Sequence, residues 1–343
     1  MRQHAPARLL AGTAILSLIV AACGTGSGTT APTGSSGPTA PGGSAASTEP
    51  GTGGKPGEGK TVNIAVNPWV GYEADAAVVA YLLEHELGYT VEKKNLAEQV
   101  SWEGFPTGDV DVILENWGHD DLKAKYIDTD KTAQSAGELG VTGIIGWYVP
   151  AWMKEQYPDI DNWENLNKYA DLFNTSESGD KGQLLDGDPS YVTNDVALVK
   201  NLNLNFEVVV GGSEAALITS FQTATTQKQP LLAYFYDPQW AWSQPPLSDS
   251  PLVRIKLPEY TAGCDADPEK VACDYPPYVL DKIVSTKFAT EGGAAYELVK
   301  KFNWTNLDQS TVSELIANQG MTPEEAGEKW VTDNPDKWAA WMP

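Results

Sequence analysis

Val110-Asp111-Val112-Ile113-Leu114 is a nearly continuous apolar run, and it stops at Glu115-Asn116-Trp117. A run apolar on both faces is what a buried parallel strand shows. Upstream, Val62-Asn63-Ile64-Ala65-Val66 has the same character and leads to Asn67-Pro68-Trp69. Between the two lie a helical repeat from Glu73 to Leu87, a Gly88 placed to cap it, a short alternating strand over Tyr89–Lys93, and a helix over Val100–Phe105. The order is βαβαβ, so residues 60–145 read as a doubly wound α/β unit.

Two further runs end in rings. Gly143-Ile144-Ile145-Gly146 leads to Trp147-Tyr148, and Pro230-Leu231-Leu232-Ala233 leads to Tyr234-Phe235-Tyr236. Helices are expected over Asp195–Leu202 and Ser213–Thr226, and strands over Phe206–Val210 and Leu231–Tyr236, which makes 146–239 a second unit. The tail, 240–343, reads as helical over Glu291–Phe302, Gln309–Ala317 and Thr322–Thr332, with Pro323 at a helix start. The expected fold is α/β and two-lobed. Residues 60–145 with 240–343 form one lobe, 146–239 form the other, and a ligand cleft lies between them. Ligands of open α/β sheets bind beyond the carboxyl ends of strands. Rings gathered there suit a cation with no N–H to donate, namely a quaternary ammonium.

The N-terminus is of another kind. Arg2 and Arg8 precede an apolar stretch from Leu9 to Val20 that ends Val20-Ala21-Ala22-Cys23, a secretory signal too short to span a membrane with these flanks. Residues 1–22 are read as the signal peptide, and Cys23 as the lipidated new N-terminus, because the ending resembles a bacterial lipobox. Residues 24–59 are mostly Gly, Ser, Thr, Pro and Ala, a composition that cannot offset its own ordering entropy. With Cys23 they form a lipid-anchored flexible linker over 23–59, holding the body at the outer face of the cell membrane. The formal net charge is −23 and becomes −25 when Arg2 and Arg8 are removed, which argues against a nucleic-acid partner. Cys264 and Cys273, an even pair in an exported body, are expected to form a disulfide.

Several motifs carry a resemblance. Asn67-Pro68-Trp69 follows the first strand. Gly108 to His119 is similar to a "G-D-x-D … W-x-x-x-H" segment, and Gly146-Trp147-Tyr148-Val149-Pro150 to a "G-x-x-V-P" crossover. The run Pro230 to Pro238 is similar to a strand ending in "W-x-P", and Gly320 to Ala326 with Trp330, Asn334-Pro335 and Trp341 to a terminal "T-P-E-E-A … W … N-P … W". Over residues 60–343 the chain resembles the glycine betaine/choline/carnitine-type substrate-binding proteins of ATP-driven importers. The resemblance implies an aromatic cage for a trimethylammonium, a permease and ATPase as partners, a monomer, and neither cofactor nor metal. The cage candidates are Trp69, Trp117, Trp147 or Tyr148, Tyr236 and Tyr191, with His119 at the ligand's polar end. Two departures stand out. His119 comes two residues after Trp117 rather than four, and Tyr236 replaces the tryptophan of "W-x-P". The remaining tryptophans, Trp240, Trp242, Trp304, Trp330, Trp338 and Trp341, are assigned to packing.

The rival class is a carbohydrate-binding or glycoside-cleaving lipoprotein, since aromatic subsites and abundant carboxylates also suit sugars. Against other enzymes, the body holds only His85 and His119, and no G-x-S-x-G elbow. Gly54 to Thr61 formally matches a phosphate-binding loop but follows a linker and opens a strand, the wrong context.

Overall fold

The computed structural model describes residues 54–343. The signal segment, Cys23 and the linker up to residue 53 lie outside the described residues. Among those described, no helix is long and apolar enough to cross a membrane.

Among the described residues nine strands form one mixed sheet: β1 Thr61–Val66, β2 Thr90–Asn95, β3 Val112–Asn116, β4 Ala133–Val149, β5 Gly182–Asp186, β6 Phe206–Val210, β7 Ala233–Asp237, β8 Val253–Arg254 and β9 Tyr278–Ser285. Their order is β2-β1-β3-β9-β4-β7-β5-β6, with β8 also on β4. The pairs β1/β2, β1/β3, β5/β6 and β5/β7 are parallel, as βαβ units require, whereas β9 and β7 run antiparallel to β4.

β4 is what joins the lobes. Its first part pairs with β9 as far as Gly143–Tyr278, and from Ile144 onward it pairs with β7, starting at Asp237. The lobe boundary therefore falls inside one unbroken 17-residue strand. The expected strand over 143–146 is only the middle of it. Glycines at 137, 140 and 143 thin the apolar pattern upstream, which weakens a strand signal. β9 was hidden differently, because Asp281-Lys282 interrupts its apolar run. Lys282 is nonetheless fully buried, with its ammonium donating to the backbone carbonyls of Lys300 and Phe302. Burial pushes its pKa down to about 8.

The division of the tail needs correction. Residues 253–275 were expected with the first lobe, but they dress the second. β8 pairs with β4, the Ile255 N–H donates to the Trp147 carbonyl (2.8 Å), and the Asn201 amide holds the Val271 carbonyl (2.8 Å). The loop closed by the Cys264–Cys273 disulfide belongs to this dressing. The expected helix over 291–302 is two helices, Thr286–Glu291 and Ala294–Lys301, divided at Gly292-Gly293. Pro323 does open a helix, behind a Thr322/Glu325 capping box.

The first lobe's core is closed by tryptophans. Trp330 stacks on Trp341 at 5.7 Å, Trp304 meets Trp330 edge-on at 5.4 Å, and Phe302 completes the group.

Candidate functional site

The Asn67-Pro68-Trp69 turn is fixed from beneath. The buried Asn67 amide donates to the Leu96 carbonyl (2.8 Å) and to Ser101 Oγ (2.9 Å). Trp69 sits at the head of the helix Val70–Tyr81, and its indole donates to Glu115 Oε1 (2.9 Å). Trp117, just past β3, donates to the same oxygen (2.6 Å). One buried carboxylate thus aims two indoles. Its other oxygen accepts from Gln309 (2.7 Å). Burial raises the Glu115 pKa against the lowering effect of these hydrogen bonds, and burial raises that of neighbouring Asp75 too. Gly143 matters here, because a Cβ on it would lie 2.2 Å from the Trp117 ring. β4 passes that close only without a side chain.

The second lobe supplies the facing rings. Tyr234 and Tyr236 lie two apart on β7 and share a face. Tyr191 comes from the loop after β5, and its hydroxyl donates across the cleft to the Pro68 carbonyl (3.3 Å). Tyr236 donates to Glu214, which also accepts from Gln239 (2.6 Å) and from the Val70 N–H of the first lobe (2.9 Å). Glu214 is a carboxylate bridge between the lobes, and burial raises its pKa.

The outcome is a cleft lined by Trp69, Glu98, Trp117, His119, Ile145, Tyr191, Val192, Tyr234, Tyr236 and Tyr278. Ring centroids stand 5.8 Å apart for Trp69–Tyr191, 5.9 Å for Trp117–Tyr236, 5.8 Å for Trp117–Tyr278 and 6.1 Å for Tyr234–Tyr236. Burial pushes the phenols of Tyr191, Tyr234, Tyr236 and Tyr278 above their ordinary value, so they stay neutral and present uncharged π-faces. Neutral ring faces of this kind are the surface on which cation–π contacts form.

The structure brings Trp69, Trp117, His119, Tyr191 and Tyr236 together. Trp147 and Tyr148 it places elsewhere, and both are corrected. β4 does not stop at Gly146 but runs on to Val149, so the pair lies within the strand, inside the second lobe. The cleft is met by Ile145 instead. Trp147 is fully buried and donates to Asp195 Oδ1 (2.8 Å), while Tyr148 packs on Trp242 at 5.3 Å. Glu115 stands behind its indoles rather than on the cavity wall. Tyr234, Tyr278 and Glu98 were not singled out. Tyr234 was legible as the same-face neighbour of Tyr236. Tyr278 opens the hidden β9, and Glu98 begins a helix, Glu98–Thr107, expected to start two residues later.

The loop bearing Tyr191 is clamped by two buried acids. Asp186 accepts from the Gly187 N–H (2.7 Å) and from Thr193 (2.8 Å), while Asp195 accepts from Trp147 and from Tyr275 (2.5 Å). Asp195 is completely buried, and burial, then the charge of Asp186, pushes its pKa up to about 8. An unfolded aspartate titrates near about 3.9. A carboxyl with a raised folded value contributes its full stability below about pH 4, and that contribution is lost as pH rises through about 8. Wild-type thermal stability relative to Asp195→Asn should therefore fall between pH 4 and 8 in denaturation scans, and a pH-independent difference would contradict this.

The comparisons with known proteins point one way. Residues 60–333 match the model of the substrate-binding domain of the ABC-type glycine betaine transport system. The trimethylamine N-oxide-binding protein of Pelagibacter ubique is 25% identical over 298 residues, covering 81% of this chain and 90% of that protein. Among solved structures, a lactococcal glycine betaine complex in its closed form is similar at a TM-score of 0.62 and 22% identity, covering 83% of this chain and all of that one. A choline-binding protein with choline gives 0.66 and 21%, covering 82% and 91%. The two-lobed fold is that of these binding proteins, and the chain belongs to the family of substrate-binding domains of ABC-type glycine betaine transport systems.

Proposed function

We propose that this protein captures a methylated onium solute of the glycine betaine, choline, proline betaine or carnitine class in the ring-lined cleft and delivers it, chemically unchanged, to its permease. Family membership brings the small-molecule ligand and an ABC permease with its ATPase as partners. The single observation that carries the ligand reading is the convergence of six aromatic rings, two indoles and four phenols, on one cavity between the lobes. Each cation–π contact contributes about 0.5–2 kcal/mol, so several together support micromolar capture. Trimethylamine N-oxide, with the same trimethylated nitrogen, belongs in the panel. The protein acts as a monomer held to the outer face of the membrane through lipidated Cys23, with the linker giving reach.

Isothermal titration against glycine betaine, choline, proline betaine, carnitine and trimethylamine N-oxide tests the proposal. One site per chain for at least one of them, with the ligand recovered intact, is the expected result. No binding to any of them, alongside binding or turnover of a glycoside, would move the reading to the carbohydrate class.

A further inference from the structure

The cavity is apolar and aromatic around most of its wall, but Glu98 and His119 form a polar end. Glu98 Oε2 lies 2.5 Å from His119 Nε2, and both side chains are about nine-tenths buried. His119 follows Gly118, both in the left-handed backbone region (φ 52° and 94°), which turns its imidazole back toward the head of the helix Glu98–Thr107. Among the described residues, Oε1 of Glu98 accepts no hydrogen bond.

The charges around this end are uneven. Among the described residues, no lysine or arginine lines the cavity. Burial works against a charged His119, but the hydrogen bond and charge of Glu98 prevail and raise its pKa, and its Nε2 is already engaged by that carboxylate. Lys123, the nearby ammonium, is held 3.0 Å from Asp281, and Asp121 adds negative charge beside His119. Behind the rings stand Glu115, a buried carboxyl, and Glu214, a partly buried one. A ligand ending in a carboxylate would meet the oxygens of Glu98 with no unpaired lysine or arginine on the cavity wall, among the described residues, to offset them. A ligand ending in a hydroxyl would find an acceptor.

We infer that Glu98, held by His119, makes this cleft select onium ligands of net positive charge that end in a hydroxyl, the choline class, over zwitterions that end in a carboxylate, the glycine betaine class. The inference rests on the cleft being the onium site proposed above. Like charges juxtaposed across a binding surface act against the wrong partner, and a buried carboxylate accepting a hydroxyl is among the stronger hydrogen bonds.

The test is calorimetry on the wild type and on Glu98→Gln with choline and glycine betaine. The wild type should bind choline at least about tenfold more tightly, in line with one charge-assisted hydrogen bond. Glu98→Gln should weaken choline, strengthen or spare glycine betaine, and so collapse the ratio. A third ligand keeps the test independent of the variant's folding. The O-methyl ether of choline keeps the charge and loses the donor, and on the wild type it should bind about tenfold more weakly than choline. The inference is overturned if glycine betaine binds the wild type as well as choline does, if the ether binds as well as choline, or if a folded Glu98→Gln keeps the wild-type ratio. Each of those outcomes leaves the cleft an onium site. Failure of every onium to bind would overturn the proposed function together with the inference.

Discussion

Replacing Trp117 by alanine is expected to weaken the best-bound onium ligand by at least about tenfold, a loss of about 1.4 kcal/mol or more, while leaving the protein folded. Three effects add. One ring face of the cage is deleted. Trp117 also meets Tyr236 at 5.9 Å and Tyr278 at 5.8 Å, so the rings on either side lose their support. The gap then admits water, which raises the local dielectric and weakens the remaining cation–π contacts. The fold should survive because Trp117 is only half-buried and follows β3 rather than belonging to it. Trp117→Phe is the informative companion. It keeps a π-face but gives up the indole hydrogen bond to Glu115, so its affinity should fall between the two. Titration calorimetry reads the affinity and circular dichroism the fold. A folded Trp117→Ala with wild-type affinity would remove this ring from the ligand's surroundings.

How much of this could be read beforehand depends on where the signal was local. β1 and β3 are buried on both faces and flanked by helices, so their apolar runs stood out, and the rings at their ends fell where the cleft is. β9 and the first part of β4 carry the antiparallel link between the lobes, and their signals were masked by Asp281-Lys282 and by glycines. Lys282 shows why. Its ammonium can stay buried only because the carbonyls of Lys300 and Phe302, distant in the chain, come to meet it. No local pattern encodes that. Tyr278 was lost with β9 for the same reason.

The two misplaced rings have a similar origin. Trp147-Tyr148 after an apolar run looks like a strand end, yet β4 continues because β7 and β8 pair with it as far as Val149. Strand length was set by partners, not by the strand's own residues. The Glu98–His119 contact joins residues 21 apart whose meeting needs both the helix head and the left-handed turn at 118–119. His119 was flagged by its motif, whereas its partner had no such label.

The second large effect is expected at a residue that need not touch the ligand. Glu115 Oε1 receives both cage indoles and Oε2 receives Gln309, which also reaches Asp75 Oδ2 at 3.2 Å. Two terms oppose each other here. A buried carboxyl beside another buried carboxyl is costly, as the raised pKa values of both indicate. Removing it relieves that cost but strands Trp69 Nε1 and Trp117 Nε1, each at about 1–3 kcal/mol if left unpaired, leaves Gln309 with Asp75 alone, and opens a cavity besides. The donors outweigh the relief, so Glu115→Ala should lose about 2–4 kcal/mol of stability in urea denaturation and at least about tenfold in affinity, through indoles no longer aimed. Glu115→Gln retains one acceptor oxygen and sheds the charge next to Asp75. It should therefore stay within about 1 kcal/mol of wild type and bind ligand between the two. The pH dependence separates this account from simple loss of packing. A carboxyl with a raised folded pKa stabilises fully below its unfolded value and loses that contribution as pH rises through the folded value. The stability of Glu115→Gln relative to wild type should accordingly improve as pH rises above about 4. Equal stability and affinity in Glu115→Ala and wild type, or a gap between Glu115→Gln and wild type that ignores pH, would contradict a carboxyl that positions the cage.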